Sequence, residues 1–486
     1  MNLVRATVRG AMWTIAAGVG ARALGLVGTL AVTRFIAPDD YGEVSVAVVV
    51  VLTANQFSTL GFGQFLIARQ RAPRSVAFHV TVFHVVLGAL ALLFALVLGR
   101  RLGVWFDAPG MTRFLPGLAL SGLFDRVAYV PERVLVRDLR FRAVSVARTA
   151  GDVVYSVACV ALAALGFGGA AIVLGNIARS ALRAALFVFA VSLRDWAEPS
   201  RLSLRQTREL LAFGVPMSLG ALCAFASRRW DNLLVSRFFG PGPAGMYNLA
   251  YNLADVPAIQ IGEQIGDVLV PSFARLDEAR RPEALVRSVT LLALVVFPLA
   301  VGLGAVAPTL VRVVFDAKWL PMAPMLVLLS ALSVTRPVGW TIESYLQARE
   351  KPRLILGLEA FKLAALLVSI VTLGRSGPLF TCAAVGVAFG AHALLAMWAV
   401  RRVDGVSFAR MLAGVGSALT ACVPMIAAVL AMRHGLATGG GVRPAVGLVA
   451  EILAGSVGYA VGALLVARST AYDLVNRVVD ALRSHA

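Results

Sequence analysis

Eight basic residues interrupt the long apolar stretches of this 486-residue sequence, and their side chains are the ones best suited to chemistry there. They are Arg22, Arg126, Arg179, Arg183, Arg228, Arg229, Arg336 and Lys362. A guanidinium group stays charged at physiological pH, and its planar fork binds two oxygens of a phosphate at once. Several such groups in apolar surroundings therefore predict a cationic site that binds anions.

Five of these cations fall near the middle of their apolar segments: Arg22, Arg126, Arg179, Arg183 and Arg336. A charge at the centre of a membrane helix costs roughly 2.5–3.5 kcal/mol, so such a residue faces a cavity or a partner. Together the five predict a water-filled, cationic cavity. Arg126 directly follows Asp125, which is an alternative partner. Arg228 and Arg229 lie nearer the outer end, where cavity contact and structural pairing both stay open.

Nearby acids offer a structural alternative for some of these cations. Arg228 lies three residues before Asp231, and Lys362 lies three residues after Glu359. This spacing places each pair on one helix face as a local ion pair. We favour that pairing for Lys362. Arg22 has no acid within one helical turn, so we assign it to the cavity.

A second polar pattern follows one apolar segment near the middle of the chain. Asn248, Asn252, Asp255, Glu263 and Asp267 share one helix face. Carboxylates on such a stripe can bind a coupling cation or a proton, and this is our hypothesis for Asp255, with Asn252 and Asn248 beside it. The alternative is that these acids neutralise the arginines. For Glu263 and Asp267 we favour that alternative, or contact with lipid headgroups.

The elements that must position these residues are membrane helices. With 59% hydrophobic residues and a mean hydropathy of +0.82, the chain is too apolar for an ordinary soluble domain. About fourteen segments are long enough to cross a bilayer as helices. We predict an all-α polytopic protein with helices at 10–33, 42–66, 76–98, 112–135, 143–165, 168–192, 209–236, 245–270, 286–306, 320–344, 353–373, 378–400, 411–432 and 444–467.

The basic residues outside the segments set the predicted orientation. Of the 45 Lys and Arg residues, 27 lie in alternate connections or at the termini, and only ten lie in the other connections. Because basic loops stay in the cytoplasm, both termini are predicted to be cytoplasmic. The net charge of +19 is thereby spread over short loops facing anionic headgroups, so we predict no nucleic-acid partner.

A repeat divides the chain into two halves. Arg34–Gly42 returns as Arg237–Gly245, with Arg, Phe, Pro and Gly matching at a constant offset. Six predicted helices separate the copies, so the halves have the same orientation and form parallel lobes with the substrate site between them. The predicted domains are an N-lobe at 1–192, a cytoplasmic linker at 193–208, a C-lobe at 209–400, two further helices at 401–467 and a cytoplasmic tail at 468–486, a candidate surface helix.

These motifs resemble the polysaccharide-transport (Wzx-type) flippases of the multidrug/oligosaccharidyl-lipid/polysaccharide exporter superfamily. The resemblance rests on Arg34–Gly42, Asp231–Gly240 running into Gly245–Ala250, Val314–Pro321 and Leu346–Pro352. It implies two six-helix lobes plus two C-terminal helices, in a bacterial inner membrane. The implied activity is flipping of undecaprenyl-diphosphate-linked oligosaccharide to the outer leaflet by alternating access. A polysaccharide polymerase and a chain-length regulator are candidate partners.

Two positions depart from the family pattern. Asp316 and Glu350 stand where such flippases usually have glycine. Glycine adopts a left-handed turn at no steric cost, so we expect both turns to be built differently in this chain.

Other function classes fit less well. A cation-coupled multidrug exporter of the same superfamily needs an acidic cavity, and a lipid II flippase would use the same cationic cavity as the favoured one. Loops of about 16 residues leave no room for the catalytic domain of a membrane glycosyltransferase or polymerase, so we predict no enzyme. The four cysteines form no CxxC pair, the histidines lack metal-ligand spacing, and no Walker A loop is present; we predict no metal and no cofactor.

Overall fold

The computed structural model describes residues 25, 27–68, 74–438 and 443–466, and every regular element in this part is helical. Residues 27–35 are helical. The following helices are α1 (Pro38–Thr59), α2 (Phe62–Ala68), α3 (Arg74–Trp105), α4 (Leu115–Arg137), α5 (Phe141–Ala164), α6 (Ala170–Ala190), α7 (Leu204–Phe239), α8 (Pro241–Arg275), α9 (Arg281–Val314), α10 (Ala323–Leu332), α11 (Arg336–Ala348), α12 (Pro352–Thr372), α13 (Pro378–Asp404), α14 (Phe408–Thr438) and α15 (Pro444–Val466).

The helices confirm the predicted all-α membrane class. Within the described ranges, nine segments are long and apolar enough to cross a bilayer: Arg74–Trp105, Phe141–Ala164, Ala170–Ala190, Arg281–Val314, Ala317–Ala348, Pro352–Ser376, Pro378–Asp404, Phe408–Thr438 and Pro444–Val466. The total of fourteen stays a prediction. Most of the first predicted helix and the predicted surface helix at 468–486 lie outside the described residues.

Apolar side chains cover the outside of these spans. Phe189 is 89% exposed, Leu465 75%, Val97 72% and Phe94 64%. A soluble protein rarely carries so many large apolar side chains on its surface, whereas lipid tails solvate them. The exposed surface therefore fits a chain that lies in a bilayer.

Two predicted helices are interrupted. The segment predicted at 42–66 breaks at Leu60 and Gly61, which both have positive φ (43° and 59°). The segment predicted at 320–344 is divided by a 3₁₀ turn, Ser333–Thr335, that separates α10 from α11. Apolar periodicity does not show such breaks, because it reports which face of a segment is buried and not where the backbone changes conformation.

The described chain divides into two compact units, Met1–Gly245 and Met246–Ala486. In the first unit α1 packs on α3 and α7, and α6 packs on both α4 and α5. In the second unit α9 packs on α10 and α14, α12 packs on α13, and α14 packs along α15. The predicted lobe boundary at 193–208 stays a prediction.

Small residues permit the closest of these contacts. On α15, a Cβ added at Gly458 or Gly462 would strike the backbone of α14 at Pro424 or Ala421. The GxxxG pair on α15 is therefore a packing face, as is common for small residues in membrane helices.

The turn before α12 shows how the family pattern is altered. Glu350 has φ +54°, so the turn is left-handed even though glycine is absent, and the expectation of a different turn there is wrong. Asp316 has φ −71°, an ordinary value for any residue, so that turn needs no glycine. The reason at Glu350 is hydrogen bonding: its backbone N–H donates to Gln347, and that of Lys351 donates to Leu346.

Arg349, in the same turn, forms ion pairs with Asp404 and Glu278 in the second unit. Arg349 donates to both carboxylate oxygens of Asp404, at 2.9 and 3.2 Å, and to Glu278 at 2.7 Å. The hydrogen bond and charge of Arg349 lower the pKa of the Glu278 carboxyl. This cluster joins the loop before α9, the turn before α12 and the end of α13.

Candidate functional site

The first unit holds two of the predicted arginines on one face of α6. Arg179 and Arg183 lie four residues apart, and their stems cross α5 at Gly151, where an added Cβ would strike both side chains. A glycine at this point of α5 thus makes room for two long cationic side chains between two membrane helices. Both residues are partly exposed.

The two guanidinium groups are only partly satisfied. Arg179 donates to the side-chain oxygen of Asn176 and lies 4.9 Å from the ring centre of Tyr155. The Nε atoms of Arg179 and Arg183 are buried and have no hydrogen-bond acceptor among the described residues. Asp152 and Asp125 act on Arg183 electrostatically, but in the described part of the chain no carboxylate forms an ion pair with it.

An arginine with a buried donor and no acceptor is a candidate anion contact. A buried unpaired donor costs about 1–3 kcal/mol, and more on a charged group. A phosphate oxygen would relieve that cost, and the i, i+4 spacing lets two guanidinium groups reach one diphosphate. Within the described part of the chain, this pair is therefore a candidate anion contact among the arginines predicted for the cavity.

Arg126 has a different environment from that predicted. The residue is 3% exposed, and its Nη2 donates to the backbone oxygen and the side-chain oxygen of Asn55, at 2.8 and 2.7 Å. Its Nη1 contacts His84 at 3.2 Å, and His84 stacks on Tyr129 at 4.0 Å. A cation on a carbonyl near the end of α1 stabilises that helix end. This arrangement favours a structural role for Arg126 over contact with phosphate.

Tyr129 of the same cluster also contacts the chain just after the break at Leu60 and Gly61. The Tyr129 hydroxyl accepts a hydrogen bond from the backbone N–H of Gly63 at 3.0 Å, which secures the start of α2. Gly63 has no room for a side chain, since an added Cβ would strike the Tyr129 hydroxyl. No sequence spacing indicates this cluster, because Asn55, His84 and Tyr129 come from three different helices.

In the second unit Arg336 is paired with Asp255. The two side chains form an ion pair and are 9% and 8% exposed. The Arg336 guanidinium also lies between the rings of Tyr251 and Phe389, at 4.9 and 4.8 Å from their centres. A small cavity borders this site, lined by Ala254, Ser333 and Val385 among others. The predicted cavity arginine and the predicted coupling acid therefore neutralise each other here.

Four of the other predicted site residues are described, on α7 and α8. Asn252 donates to Asn248 at 2.9 Å, so these two amides do share one face of α8. Arg228 is exposed and donates to the backbone oxygen of Ala224, and Arg229 is partly exposed. Arg22 lies outside the described residues. The side chains of Glu263 and Asp267 also lie outside them.

Lys362 forms the predicted ion pair with Glu359. Two further residues complete a cluster that sequence spacing did not reveal: Glu343 of α11, 3.9 Å from the Lys362 ammonium, and His392 of α13. The ligand atoms of Glu343, Glu359 and His392 all lie within 4.8 Å of one another. They lie on three different helices, so no local sequence motif contains them.

Two solved structures with the same fold are a lipid flippase and a multidrug transporter. The chain superimposes on the lipid II flippase MurJ, in an inward closed conformation, with a TM-score of 0.75 over 94% of this chain and 99% of that one, at 12% identity. A multidrug resistance MATE family transporter of the MOP superfamily, in an inward-facing conformation, gives a TM-score of 0.63 over 79% and 95%, at 14% identity. At these identities the likeness establishes the fold.

Sequence relatives belong to polysaccharide systems. The lipopolysaccharide biosynthesis protein WzxC of Escherichia coli (strain K12) is 26% identical over 393 residues, which is 80% of this chain and 78% of WzxC. The teichuronic acid biosynthesis protein TuaB of Bacillus subtilis (strain 168) is 24% identical over 67% of each chain.

The family comparison agrees with these relatives. A family described as "Polysaccharide biosynthesis protein" matches residues 31–324, more than half of the chain. With its helical fold and its transporter neighbours, this chain is a multi-pass membrane protein and a member of the polysaccharide biosynthesis protein family.

Proposed function

We propose that this protein flips undecaprenyl-diphosphate-linked oligosaccharide from the cytoplasmic to the outer leaflet of a bacterial inner membrane, for export of a surface polysaccharide. The observation that carries the proposal is the Arg179/Arg183 pair in the first unit, with two buried Nε donors that lack an acceptor. The family membership supports the polysaccharide class of the substrate.

The protein's contribution is binding and charge compensation. A diphosphate leaving the headgroup region loses its hydration, and a charged group in hydrocarbon is costly. Arg179 and Arg183 would replace that hydration with charge-assisted hydrogen bonds. Arg22, which the sequence places on the first helix, stays a predicted member of the same site. Flipping by this route needs no covalent step.

The competing classes differ in the charge of their cargo. A multidrug exporter of organic cations would place a carboxylate where these arginines lie, whereas lipid II carries the same diphosphate with a different sugar. The positive charge of the Arg179/Arg183 pair therefore favours our proposal over a multidrug exporter. A lipid II flippase can be distinguished only by comparing the binding of lipids that carry different glycans.

Native mass spectrometry of the purified protein tests the proposal. We expect the wild type to retain added undecaprenyl-diphosphate-linked oligosaccharide, and the Arg179→Gln/Arg183→Gln variant to bind it about tenfold more weakly or worse, because two charged hydrogen bonds are lost. Arg22→Ala is the companion variant for the predicted member of the site. The control is Arg100→Gln/Arg101→Gln, which removes two exposed charges from the same unit.

The possible results are distinct. Equal binding by both double variants would overturn the assignment of Arg179 and Arg183. Preference for lipid II would move the substrate to that alternative, and binding of small organic cations in place of the lipid would favour the exporter.

The orientation is part of the same proposal. We place both termini in the cytoplasm because of the alternating basic connections. Cysteine labelling from outside intact cells would show protection of a cysteine placed in the basic connection at 194–208 and labelling of one placed beside Arg375. The reverse pattern would overturn the orientation.

A further inference from the structure

We propose that the Glu343–Glu359 carboxyl pair in the second unit is a proton-binding site that holds one exchangeable proton between Lys362 and His392. The proposal concerns the second unit alone and does not depend on the lipid assigned above. The site is separate from the Asp255–Arg336 pair, whose two charges already cancel.

The first support is geometric. Glu343 lies on α11, Glu359 and Lys362 lie on α12, and His392 lies on α13, with the ligand atoms of the two acids and the histidine within 4.8 Å of one another. Gly339, one turn before Glu343 on α11, leaves room for the ring of His392, whose Cε1 would lie 3.3 Å from an added Cβ. Three helices thus meet at one polar point.

The second support is a set of buried polar atoms without partners. Glu359 is 4% exposed and His392 is 3% exposed. Among the residues that the structure describes, the Oε2 atom of Glu359 and the Nε2 atom of His392 have no hydrogen-bond partner. Such atoms are rare in folded proteins, and each one requires an explanation. A bound proton supplies a donor to this cluster that the heavy atoms alone do not show.

The third support is the proximity of the two carboxyl groups. Carboxylate oxygens of Glu343 and Glu359 lie within 4.8 Å of each other. Ionised carboxylates only accept hydrogen bonds, so the two groups can bond to each other only when one of them carries a proton. Two close carboxyls share one proton for the same reason that close like charges cannot both ionise.

The net charge of the cluster also favours one bound proton. With both acids ionised, Lys362 charged and His392 neutral, these four described residues together carry a net charge of −1 in low-dielectric surroundings. One added proton brings the cluster to neutrality, which removes the cost of burying that charge. Arg336 shares the ring of Phe389 with Lys362 but is already neutralised by Asp255, so it does not change the count.

The position of Lys362 argues against a metal ion. Its ammonium contacts Glu359 and lies 3.9 Å from Glu343, so it takes the place that a cation would need beside the carboxylate oxygens. A metal ion would have to approach a fixed positive charge. Glu343, whose side chain is 27% exposed, is the member through which a proton from water would enter.

Infrared difference spectroscopy of the full-length protein in nanodiscs tests the proposal. At neutral pH we expect a protonated-carboxyl C=O band in the wild type that is lost in both Glu343→Gln and Glu359→Gln. Alkaline titration should release one proton fewer from each variant than from the wild type. Glu350→Gln is the control, because Glu350 is exposed on the adjoining turn and should leave both signals unchanged.

Substitution of Lys362 should change the protonated fraction of the carboxyl pair in a predictable direction. Lys362→Gln removes the positive charge that favours ionised carboxylates, so a larger fraction of the pair should stay protonated at alkaline pH, whereas Lys362→Arg should resemble the wild type. A wild-type spectrum identical to that of both glutamine variants overturns the proposal. Binding of Na⁺ or Mn²⁺ by the wild type, lost in Glu359→Gln, also overturns it in favour of a cation site.

Discussion

Gly42 and Gly245 hold equivalent positions in the two copies of the repeated motif, and each lies against the other copy. A Cβ added at Gly42 would overlap the carbonyl oxygen of Pro241, and one added at Gly245 would overlap that of Pro38. Pro38 and Pro241 are also equivalent in the repeat, and each begins a helix. The two copies therefore meet by a reciprocal contact in which neither glycine can be replaced without moving backbone.

This contact predicts that Gly42→Ala and Gly245→Ala each destabilise the protein by about 1–3 kcal/mol, because a new methyl group must displace backbone. Thermal unfolding in detergent measures the effect. Gly416→Ala on α14 is the control, since nothing lies within 4 Å of an added Cβ there. Gly416 is partly exposed, and at such a helical position alanine should be neutral or stabilising. Equal melting temperatures for all three variants would contradict the contact.

The left-handed turn at Glu350 predicts a stabilising substitution. Glu350→Gly should raise the free energy of unfolding by about 0.5–1 kcal/mol, because glycine adopts a positive φ without steric cost. The matched control is Asp316→Gly, the other position where the family pattern has glycine. With φ −71° it should gain nothing and lose some stability through unfolded-state entropy. A melting temperature that rises for Asp316→Gly and falls for Glu350→Gly would refute this account.

Arg126 predicts a loss of stability without a loss of lipid binding. Arg126→Gln should cost about 2–4 kcal/mol, because Asn55 loses two charged hydrogen bonds in a buried site. The control Arg142→Gln, at an exposed position, should leave the unfolding temperature unchanged. Binding of the lipid diphosphate by the protein that stays folded should match the wild type. Normal stability with abolished binding would instead restore Arg126 to the cavity.

The Asp255–Arg336 pair distinguishes a structural role from coupling. Asp255→Asn removes the carboxylate charge that forms an ion pair with the buried Arg336 and should cost about 3–5 kcal/mol, and adding Arg336→Gln should recover part of that loss. Thermal unfolding of the two single variants and the double variant gives the coupling energy. Transport by Asp255→Asn that keeps its full rate and the same dependence on proton or sodium gradients would eliminate the coupling hypothesis for Asp255.

Sequence patterns were sufficient for the helices and the class of protein. The long apolar runs predicted α3, α6 and α12 because a backbone in lipid must pair its polar groups within the helix. The i, i+3 spacing predicted the Lys362–Glu359 pair, and the i, i+4 spacing placed Arg179 beside Arg183, since both spacings are properties of one helix. The repeated motif was visible for the same reason: it is local.

Relations between helices needed the tertiary structure. Arg126 and Arg179 have the same residue type in similar apolar surroundings, yet one is enclosed by Asn55 and His84 and the other keeps an unpaired donor. Arg336 was predicted for a cavity and Asp255 for a cation, but they neutralise each other because α8 and α11 bring them together. Sequence reports the charge of a side chain, whereas the packing of neighbouring helices decides which partner that charge meets.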